Sequence, residues 1–560
     1  MGLNGYKFRP DHTLSAADEK VFIPLETAIS WVHAFYDNQS ALGLLLPISK
    51  DFMLTIPTIL GNPYVQVDVR VVILYYGALH NGMLLSPDLG AVEKIEYSLY
   101  FYRRTLQHME EWQRQDHVNE LSLHVAFWMT YQARFQLDFD LSHRLHNCAC
   151  QITRDLGLLQ IDADTQMFPP PQPLSSFNES PLPPEETPRP ADAMSTVYRD
   201  VHRIYFWQIL ITDDHLFRHH LYRPGSIDLG TWKVGLPDFS TQQSLSDINR
   251  DTRVHSEASL HLSLIELKYS ELLEDSTSWS TIASGVLLSK AGQDKLRHLL
   301  VEVDAVLSKW QIEQLLMQVS SKINAYLYAQ LIWRATSMIV SFLRIQPCSA
   351  VWQTEHDGNL EHEAAHRSIR AMQCLVVIDQ DGLYWNLGYF KCFLTPCIGV
   401  LLRNILTNIA GESAASDLAL TSWVQTIVSR CANERPELKS LELFLQTLNH
   451  CAHYILAQKF PSRGLQAQKT HCSWQNTVPQ TTLPIGTDDP RLGSAINSDS
   501  HILQNITITS LLSKEESEFL CAHGMTVTDL YNEPCRTLLV LEKSLLTEPD
   551  PHYQWWTFES

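Results

Sequence analysis

The sequence lacks closely spaced cysteines, although it contains 11 cysteines in 560 residues. They are scattered from position 148 onward, and no two of them form a C-x-x-C pair. A structural zinc site needs clustered thiolates, and a disulfide framework needs paired cysteines, so neither is expected. We predict reduced intracellular thiols, with Cys148 and Cys150 buried in a helix. His143 and His146, on the same predicted helix, are expected to be solvated or capping.

Recurring catalytic and targeting sequences are absent as well. The chain has no Gly-rich phosphate loop, no G-x-S-x-G elbow and no dinucleotide-binding fingerprint, which argues against the common enzyme classes. Its N-terminus lacks the basic and apolar regions of a signal peptide. The longest apolar, uncharged run covers residues 71–87 and is slightly short for a membrane span. We therefore expect no catalytic residue, no cofactor, no bound metal and no membrane segment.

Basic side chains are scarce too. The chain has 42 Lys and Arg against 62 Asp and Glu, which gives a formal net charge of −20. Such a chain repels nucleic acid unless a local basic patch overcomes the repulsion. The start of the chain supplies no such patch, because its basic residues up to position 50 are only Lys7, Arg9, Lys20 and Lys50. Direct DNA binding by this chain alone is therefore not expected.

The chain is rich in apolar periodicity of the helical kind. Hydrophobic residues make up 45% of it, which is enough to bury a sizeable core. Apolar side chains recur at three- and four-residue steps, and no stretch alternates with period two for long, so the predicted fold class is all-α. The predicted helices are residues 25–36, 65–85, 92–112, 121–137, 141–156, 296–310, 323–345, 360–378, 389–409 and 438–456.

Composition also predicts the domain organisation. Residues 169–190 contain nine prolines and cannot fold compactly, which indicates a linker or loop. A later region rich in Gln, Thr, Ser and Asn is expected to be disordered. The predicted segments are a flexible N-terminus (1–24), a first helical half (25–165), a Pro-rich linker (166–192), a second helical half (193–460), a disordered segment (461–505), and short helices with an acidic-aromatic tail (506–560).

The tail places four aromatic side chains among acidic residues, namely Tyr553, Trp555, Trp556 and Phe558. Acidic groups keep such aromatics solvated until a partner groove accepts them, a pattern typical of disordered activation segments. These four residues are therefore candidates for partner binding. The alternative, in which the two tryptophans fold back onto the helical body, stays open.

Residues 195–237 organise the second half of the chain. They begin as an amphipathic helix that ends at Arg223-Pro224, because proline biases the preceding residue out of helical geometry. A short extended segment then runs to Leu236-Pro237. This combination predicts a long helix, an abrupt stop and a return segment.

Two side chains of this stretch have predicted structural roles. Trp207 lies in the middle of the helix, where an aromatic side chain buries a large area, and its N–H is expected to find a partner. Arg223 is expected to pair with Asp213, with Asp214 or with a carbonyl near the helix end, and so to hold the turn. A ligand contact is the less favoured role for these residues, because core packing and ion pairing explain them without one.

These residues resemble the middle homology region of fungus-specific transcription factors, a large helical regulatory domain. In that family a basic start, an aromatic-Trp pair, an acid, a Gly-Arg-Pro and a final Leu-Pro follow in order. The corresponding residues here are Arg199, Arg203, Phe206, Trp207, Asp213 or Asp214, Arg223, Pro224, Leu236 and Pro237. Tyr222 stands where glycine is usual. Residues 147–162, 362–369 and 389–402 resemble further helices of the same region, so the resemblance spans about residues 25–455.

The resemblance implies a nuclear regulator of transcription, acting on a metabolic or biosynthetic gene set such as secondary metabolism. In the family a six-cysteine binuclear zinc cluster usually precedes this region, and this chain has no such cluster. Either the DNA-binding end was lost or misassigned, or the protein acts without touching DNA. The expected partners are other transcription regulators or co-activators. A small-molecule effector and a homo- or hetero-dimer both stay open.

Two alternatives come from other classes of protein. One is a helical module that binds a small molecule in a pocket between packed helices. The other is a zinc hydrolase that uses His362-Glu363-Ala364-Ala365-His366, an H-E-x-x-H sequence in which two histidines hold zinc and Glu363 is the general base. A zincin also needs a third ligand in a defined context, and the nearby His356 and Glu361 keep metal binding open. We therefore expect this segment to be a packing helix, with Ala364 and Ala365 against a neighbour.

Overall fold

A computed structural model shows a protein whose regular secondary structure, in the described residues, is helical. No strand occurs there, which confirms the all-α prediction. The predicted disordered segment and the four tail aromatics lie outside the described residues, as does the Pro-rich linker up to residue 189. The structure describes residues 21–42, 46–60, 62–115, 119–163, 190–221, 223, 225–227, 230–237, 250–276, 290–344, 355–379, 390–407, 412–459, 512–525, 529 and 534–547.

Contacts divide the chain into two units. The first comprises Met1–Leu360, His366–Leu394 and Thr547–Ser560, and the second comprises Glu361–Ala365 and Thr395–Leu546. The division falls within one continuous helix, Glu355–Ile378, of which the turn at residues 361–365 is counted with the second unit.

The first unit begins with six helices. In order, α1 to α6 are Leu25–Leu42, Lys50–Leu60, Val69–Leu85, Ala91–Gln113, Glu120–Phe135 and Phe139–Asp155. Helix α3 is buried along most of its length and packs against α1, α4 and α5, and α5 packs against α6. Asp68, Asn119 and Asp138 accept hydrogen bonds from backbone N–H groups in the first turns of α3, α5 and α6, so these helices begin at side-chain caps.

A long helical stretch follows and includes two π-helical turns. It consists of α7 (Pro190–Tyr205), a π turn (Phe206–Leu210), α8 (Ile211–His215) and a second π turn (Leu216–His220). We call this stretch the π-interrupted helix. The N–H of Ile211 bonds to the carbonyl of Phe206, and the N–H of Leu221 bonds to that of Leu216, so each π turn accommodates one extra residue.

Five further helices belong to the described part of the first unit. In order, α9 to α13 are Arg250–Ser276, Lys290–Lys309, Ile312–Gln318, Lys322–Arg344 and Glu355–Ile378, and a π turn follows at Phe390–Leu394. One turn of α13, residues 361–365, is counted with the second unit. Helix α9 packs against α8, α10 and α12, and α11 packs against α12. The indole N–H of Trp333 on α12, which is fully buried, donates to the carbonyl of Ser368 on α13.

The second unit is a smaller helical cluster. In order, α14 to α18 are Thr395–Thr407, Glu412–Glu434, Lys439–Lys459, Lys514–Ala522 and Pro534–Thr547. Helix α15 packs against α14 and α16, and α17 packs against α16. A capping box begins α17, because the side chains of Ser513 and Glu516 each accept a hydrogen bond from the other's backbone N–H.

Most predicted helices lie within a few residues of observed ones, and four observed helices, α2, α9, α11 and α15, were not predicted. Helix α11 has only seven residues, too few for apolar periodicity to show. Helix α2 contains Pro57, which weakens a helical signal. Helices α9 and α15 have polar residues spread around much of their circumference. No helix in the described ranges is long and apolar enough to cross a membrane. Every cysteine whose side chain the structure describes is a free thiol.

Two glycines let α3 approach its neighbours closely. A Cβ atom at Gly77 would lie 1.7 Å from Nε1 of Trp128, and one at Gly82 would lie 1.8 Å from the backbone oxygen of Trp31. Trp128 is only 1% exposed, so its indole ring has little room to move.

We expect Gly77→Ala to destabilise the protein. Overpacking costs about 1–3 kcal/mol, whereas alanine regains only about 1 kcal/mol of helix propensity. Chemical denaturation monitored by circular dichroism measures the change. In a double-mutant cycle, Trp128→Phe should recover part of the loss, because the smaller ring makes room for the new methyl group. A Gly77→Ala variant as stable as the wild type would contradict the close contact.

Candidate functional site

The π-interrupted helix is anchored to the first unit by aromatic contacts. The indole N–H of Trp207 donates to the carbonyl of Gly235 at 2.9 Å, and the side chain is 3% exposed. The ring of Trp232 packs against Phe206 and Trp207, with centroids 4.8 and 5.3 Å away. Trp207 therefore has the core position and the N–H partner predicted for it.

Two parts of the chain that the resemblance singled out meet at Asp162. Arg203 donates two hydrogen bonds to this carboxylate, at 2.5 and 3.0 Å, and a third to Asp200 at 2.7 Å. The backbone N–H of Gly235 also donates to Asp162, at 2.6 Å. Burial raises the pKa of Asp162, but the bonds from Arg203 and Gly235 outweigh it and hold the pKa below its usual value.

Asp213 and Asp214 have separate partners. Asp213 forms an ion pair with Arg134 of α5, and both side chains are about 6% exposed. Asp214 accepts from Arg218 at 2.6 Å and from the backbone N–H of Ser226 at 2.6 Å. Asp214 therefore closes the loop after the helix, whereas Asp213 joins the helix to α5.

Arg223 corrects one prediction. Its side chain pairs with Asp140 on α6, not with Asp213 or Asp214. Both aspartates are already engaged with other arginines, so the turn is tied to a different helix. Leu236 is 52% exposed and Pro237 is buried, and Arg199 is half-buried. Tyr222 and Pro224 lie outside the described residues, so the departure from glycine at position 222 has no structural account.

A cavity of about 470 Å³ lies in the first unit beside the π-interrupted helix. That helix contributes Gln208, Ile209, Thr212 and Asp213 to its wall. Helices α1, α3, α5, α9 and α12 supply most of the remaining lining, which mixes apolar side chains with amides, hydroxyls and one histidine. The volume falls within the range typical of small-molecule sites.

Three of the four basic side chains that line the cavity form ion pairs, and the fourth, Lys94, donates to the carbonyl of Leu84 at 2.9 Å. Arg134 pairs with Asp213, Lys322 donates to Asp379 at 2.9 Å, and Arg334 donates to Glu266 at 2.7 Å. Burial and the positive charge of Arg334 lower the pKa of the lining residue His255 to about 4, so this imidazole is neutral at pH 7. The arrangement favours an uncharged, partly apolar occupant, because a buried unmatched charge is costly.

A second group of histidines is buried at the end of the π-interrupted helix. Neither ring nitrogen of His215 or His220 has a hydrogen-bond partner within the described structure. Burial and neighbouring basic groups lower the pKa of His215 well below its usual value, and those of His219 and His220 to about 3.

His143 and His146 are also buried, which corrects the expectation that they are solvated or capping. Nε2 of His146 lies 3.6 Å from Oδ1 of Asp214. Burial alone would lower the pKa of His146, but Cys150 and Asp214 raise it to about 10. Cys150 is buried as predicted, whereas Cys148 is only partly buried. A short spacing between histidines in the sequence does not distinguish these environments.

The H-E-x-x-H sequence lies on α13. Ala364 and Ala365 are buried, as predicted for a packing helix. Nε2 of His362 lies 2.8 and 3.0 Å from the two carboxylate oxygens of Asp417. In the described residues, His362, His366 and Asp417 are the one group whose ligand atoms are close enough to hold a metal ion.

The sequence did not identify the third member of this group. Asp417 stands in no recognisable motif, and its position 55 residues after His362 gives no signal of proximity. The same holds for Arg134 and Arg334, which are single basic residues within apolar helices.

Comparison of the chain with protein families, with curated proteins and with solved structures finds no match.

We expect Arg134→Met to destabilise the first unit by about 3–5 kcal/mol, because it leaves the carboxylate of Asp213 buried without its counter-charge. The double variant Arg134→Met/Asp213→Leu should recover much of this loss. The matched control is Arg297→Met, which removes an exposed ion pair with Asp294 and should cost less than about 1 kcal/mol. Equal effects of the two single variants on the free energy of unfolding would contradict the burial of the Arg134 pair.

Stability should fall in mild acid. The folded-state pKa values of His215, His219 and His220 lie below the unfolded value of about 6.5. Below pH 6.5 these histidines are protonated in the unfolded chain before they are protonated in the folded protein. The stability that they contribute is therefore complete above pH 6.5 and is lost as the pH falls from there toward 3. His146 has the opposite sign, and its contribution is lost as the pH rises from 6.5 toward 10.

The measurement is the free energy of unfolding between pH 5 and pH 7.5. His220→Leu should make the acid limb shallower by about 1.4 kcal/mol per pH unit, the equivalent of one proton. His298→Leu is the control, because that side chain is 75% exposed. An unchanged acid limb in His220→Leu would show that His220 protonates in the folded protein.

Proposed function

We propose that the protein is a nuclear regulator of transcription whose first unit binds a small-molecule effector. The observation that supports the proposal best is the cavity beside the π-interrupted helix. The wall of that cavity includes residues from the stretch that resembles the middle homology region, notably Gln208, Thr212 and Asp213. An effector bound there would contact the segment that carries most of the resemblance.

The chemistry of the lining supports an uncharged effector with a few hydrogen-bonding groups. Arg134, Lys322 and Arg334 are matched by carboxylates, so a charged ligand would have to compete with existing ion pairs. Gln208 and Thr212 offer neutral polar groups, and Ile209 offers an apolar surface. A metabolite from the pathway that the regulated genes encode would suit such a site.

The output of the regulator would pass through protein partners. The aromatic tail residues Tyr553, Trp555, Trp556 and Phe558 are the proposed contacts with a co-activator or another transcription regulator. This part of the proposal rests on the sequence alone, since the tail lies outside the described residues. A small-molecule-binding module without a role in transcription is the second candidate, and the cavity supports it equally.

A tethering experiment separates the two candidates. The full chain, fused to a heterologous DNA-binding domain, should alter the output of a reporter gene. Removal of residues 548–560 should weaken that effect. A chain that binds small molecules but leaves the reporter unchanged would refute the transcriptional role and leave the binding module standing.

The cavity is tested directly with Nile red, a neutral fluorescent probe. The wild type should bind it saturably, and Ile209→Trp should reduce the binding at least about tenfold, because the larger side chain fills the cavity. Val301→Trp is the matched control, since Val301 is 66% exposed on α10 and does not line the cavity. Equal binding by both variants would show that the probe binds elsewhere.

A further inference from the structure

The polar cluster around His362 has the composition of a metal site. Asp417 on α15 is fully buried, whereas the His362 side chain on α13 is 26% exposed. Their imidazole and carboxylate groups are in direct contact, with Nε2 of His362 2.8 Å from Oδ2 of Asp417. A buried carboxylate that faces a partly exposed imidazole offers two donor atoms on a solvent-accessible edge.

A third donor comes from the same helix. His366 follows His362 by four residues along the continuous α13, which places both imidazoles on one face of that helix. The ligand atoms of His362, His366 and Asp417 all lie within 4.8 Å of one another. Donors around a zinc ion lie about 2.0–2.2 Å from the metal, so small side-chain rotations would bring these three atoms into one coordination sphere.

We propose that His362, His366 and Asp417 bind one divalent transition-metal ion, with Zn²⁺ as the best match. Two imidazoles and one carboxylate suit zinc, and they leave a further position for water. Asn404 on α14 supports the set, because its amide donates to Oδ2 of Asp417 at 2.6 Å and so orients the carboxylate.

The surrounding charges are compatible with a cation. Arg403, one residue before Asn404, is paired with the buried carboxylate of Glu361, so this neighbouring positive charge is neutralised. Glu363, which lies between the two histidines in the sequence, is exposed. The site is assigned metal binding alone, with no hydrolytic reaction.

The test uses the full chain, stripped of metal with a chelator and then titrated with Zn²⁺. Calorimetry and elemental analysis after dialysis should give one retained equivalent in the wild type. His366→Ala should abolish that equivalent, and Asn404→Ala should weaken the affinity about 10–100-fold. Zn²⁺ should also raise the thermal midpoint of the wild type but not that of His366→Ala, because the ion binds the folded state.

The control guards against adventitious binding, since the chain contains 24 histidines. His298→Ala removes an exposed histidine outside the cluster and should leave the stoichiometry and the affinity unchanged. Circular dichroism establishes that each variant folds. For a variant too unstable for a thermal melt, titration with Co²⁺ replaces that measurement, because the absorption spectrum of bound Co²⁺ reports ligation by His and carboxylate groups. Absence of a retained equivalent in the wild type, or its persistence in His366→Ala, would overturn the proposal.

Discussion

The pairing of buried carboxylates with arginines is the interaction on which the first unit depends. Asp213 meets Arg134, Asp162 meets Arg203, and Glu266 meets Arg334. Each carboxylate would be costly to bury alone, so each pair constrains which helices can be neighbours. Arg334 also donates to Ser263 at 2.8 Å, and Ser263 in turn donates to the carbonyl of Trp207 at 3.0 Å. Trp207 also donates to Gly235, whose N–H donates to Asp162, so the pairs of Glu266 and Asp162 are connected through the aromatic anchor.

Ion pairs in its wall also help to explain why a cavity can persist in the first unit. Apolar walls alone tend to collapse around empty space, whereas hydrogen-bonded ion pairs hold their helices at set distances. The pairs of Arg134 and Lys322 contribute lining residues without leaving net charge in the cavity. In the second unit, the buried carboxylate of Asp417 instead contacts an imidazole and an amide, those of His362 and Asn404.

The sequence was informative where local chemistry decides the outcome. Apolar periodicity located most helices, and Trp207 has the core position expected of a mid-helix indole. The pairings could not be predicted in the same way, because Arg134 and Asp213 are 79 residues apart and many acids compete for each arginine. The error at Arg223 has this origin. The two π turns also escape periodicity, since one extra residue leaves the apolar pattern readable as an ordinary helix.

The π turns decide where this helix tolerates a change of length. Each π turn holds one residue more than an α turn, so loss of one residue within Phe206–Leu210 would close it as an α turn and leave Asp213 and Asp214 facing their partners. Loss of one residue from a regular α-helix instead rotates everything after it by about 100°. Homologous chains that keep these contacts should therefore vary in length at the two π turns more readily than elsewhere in this helix.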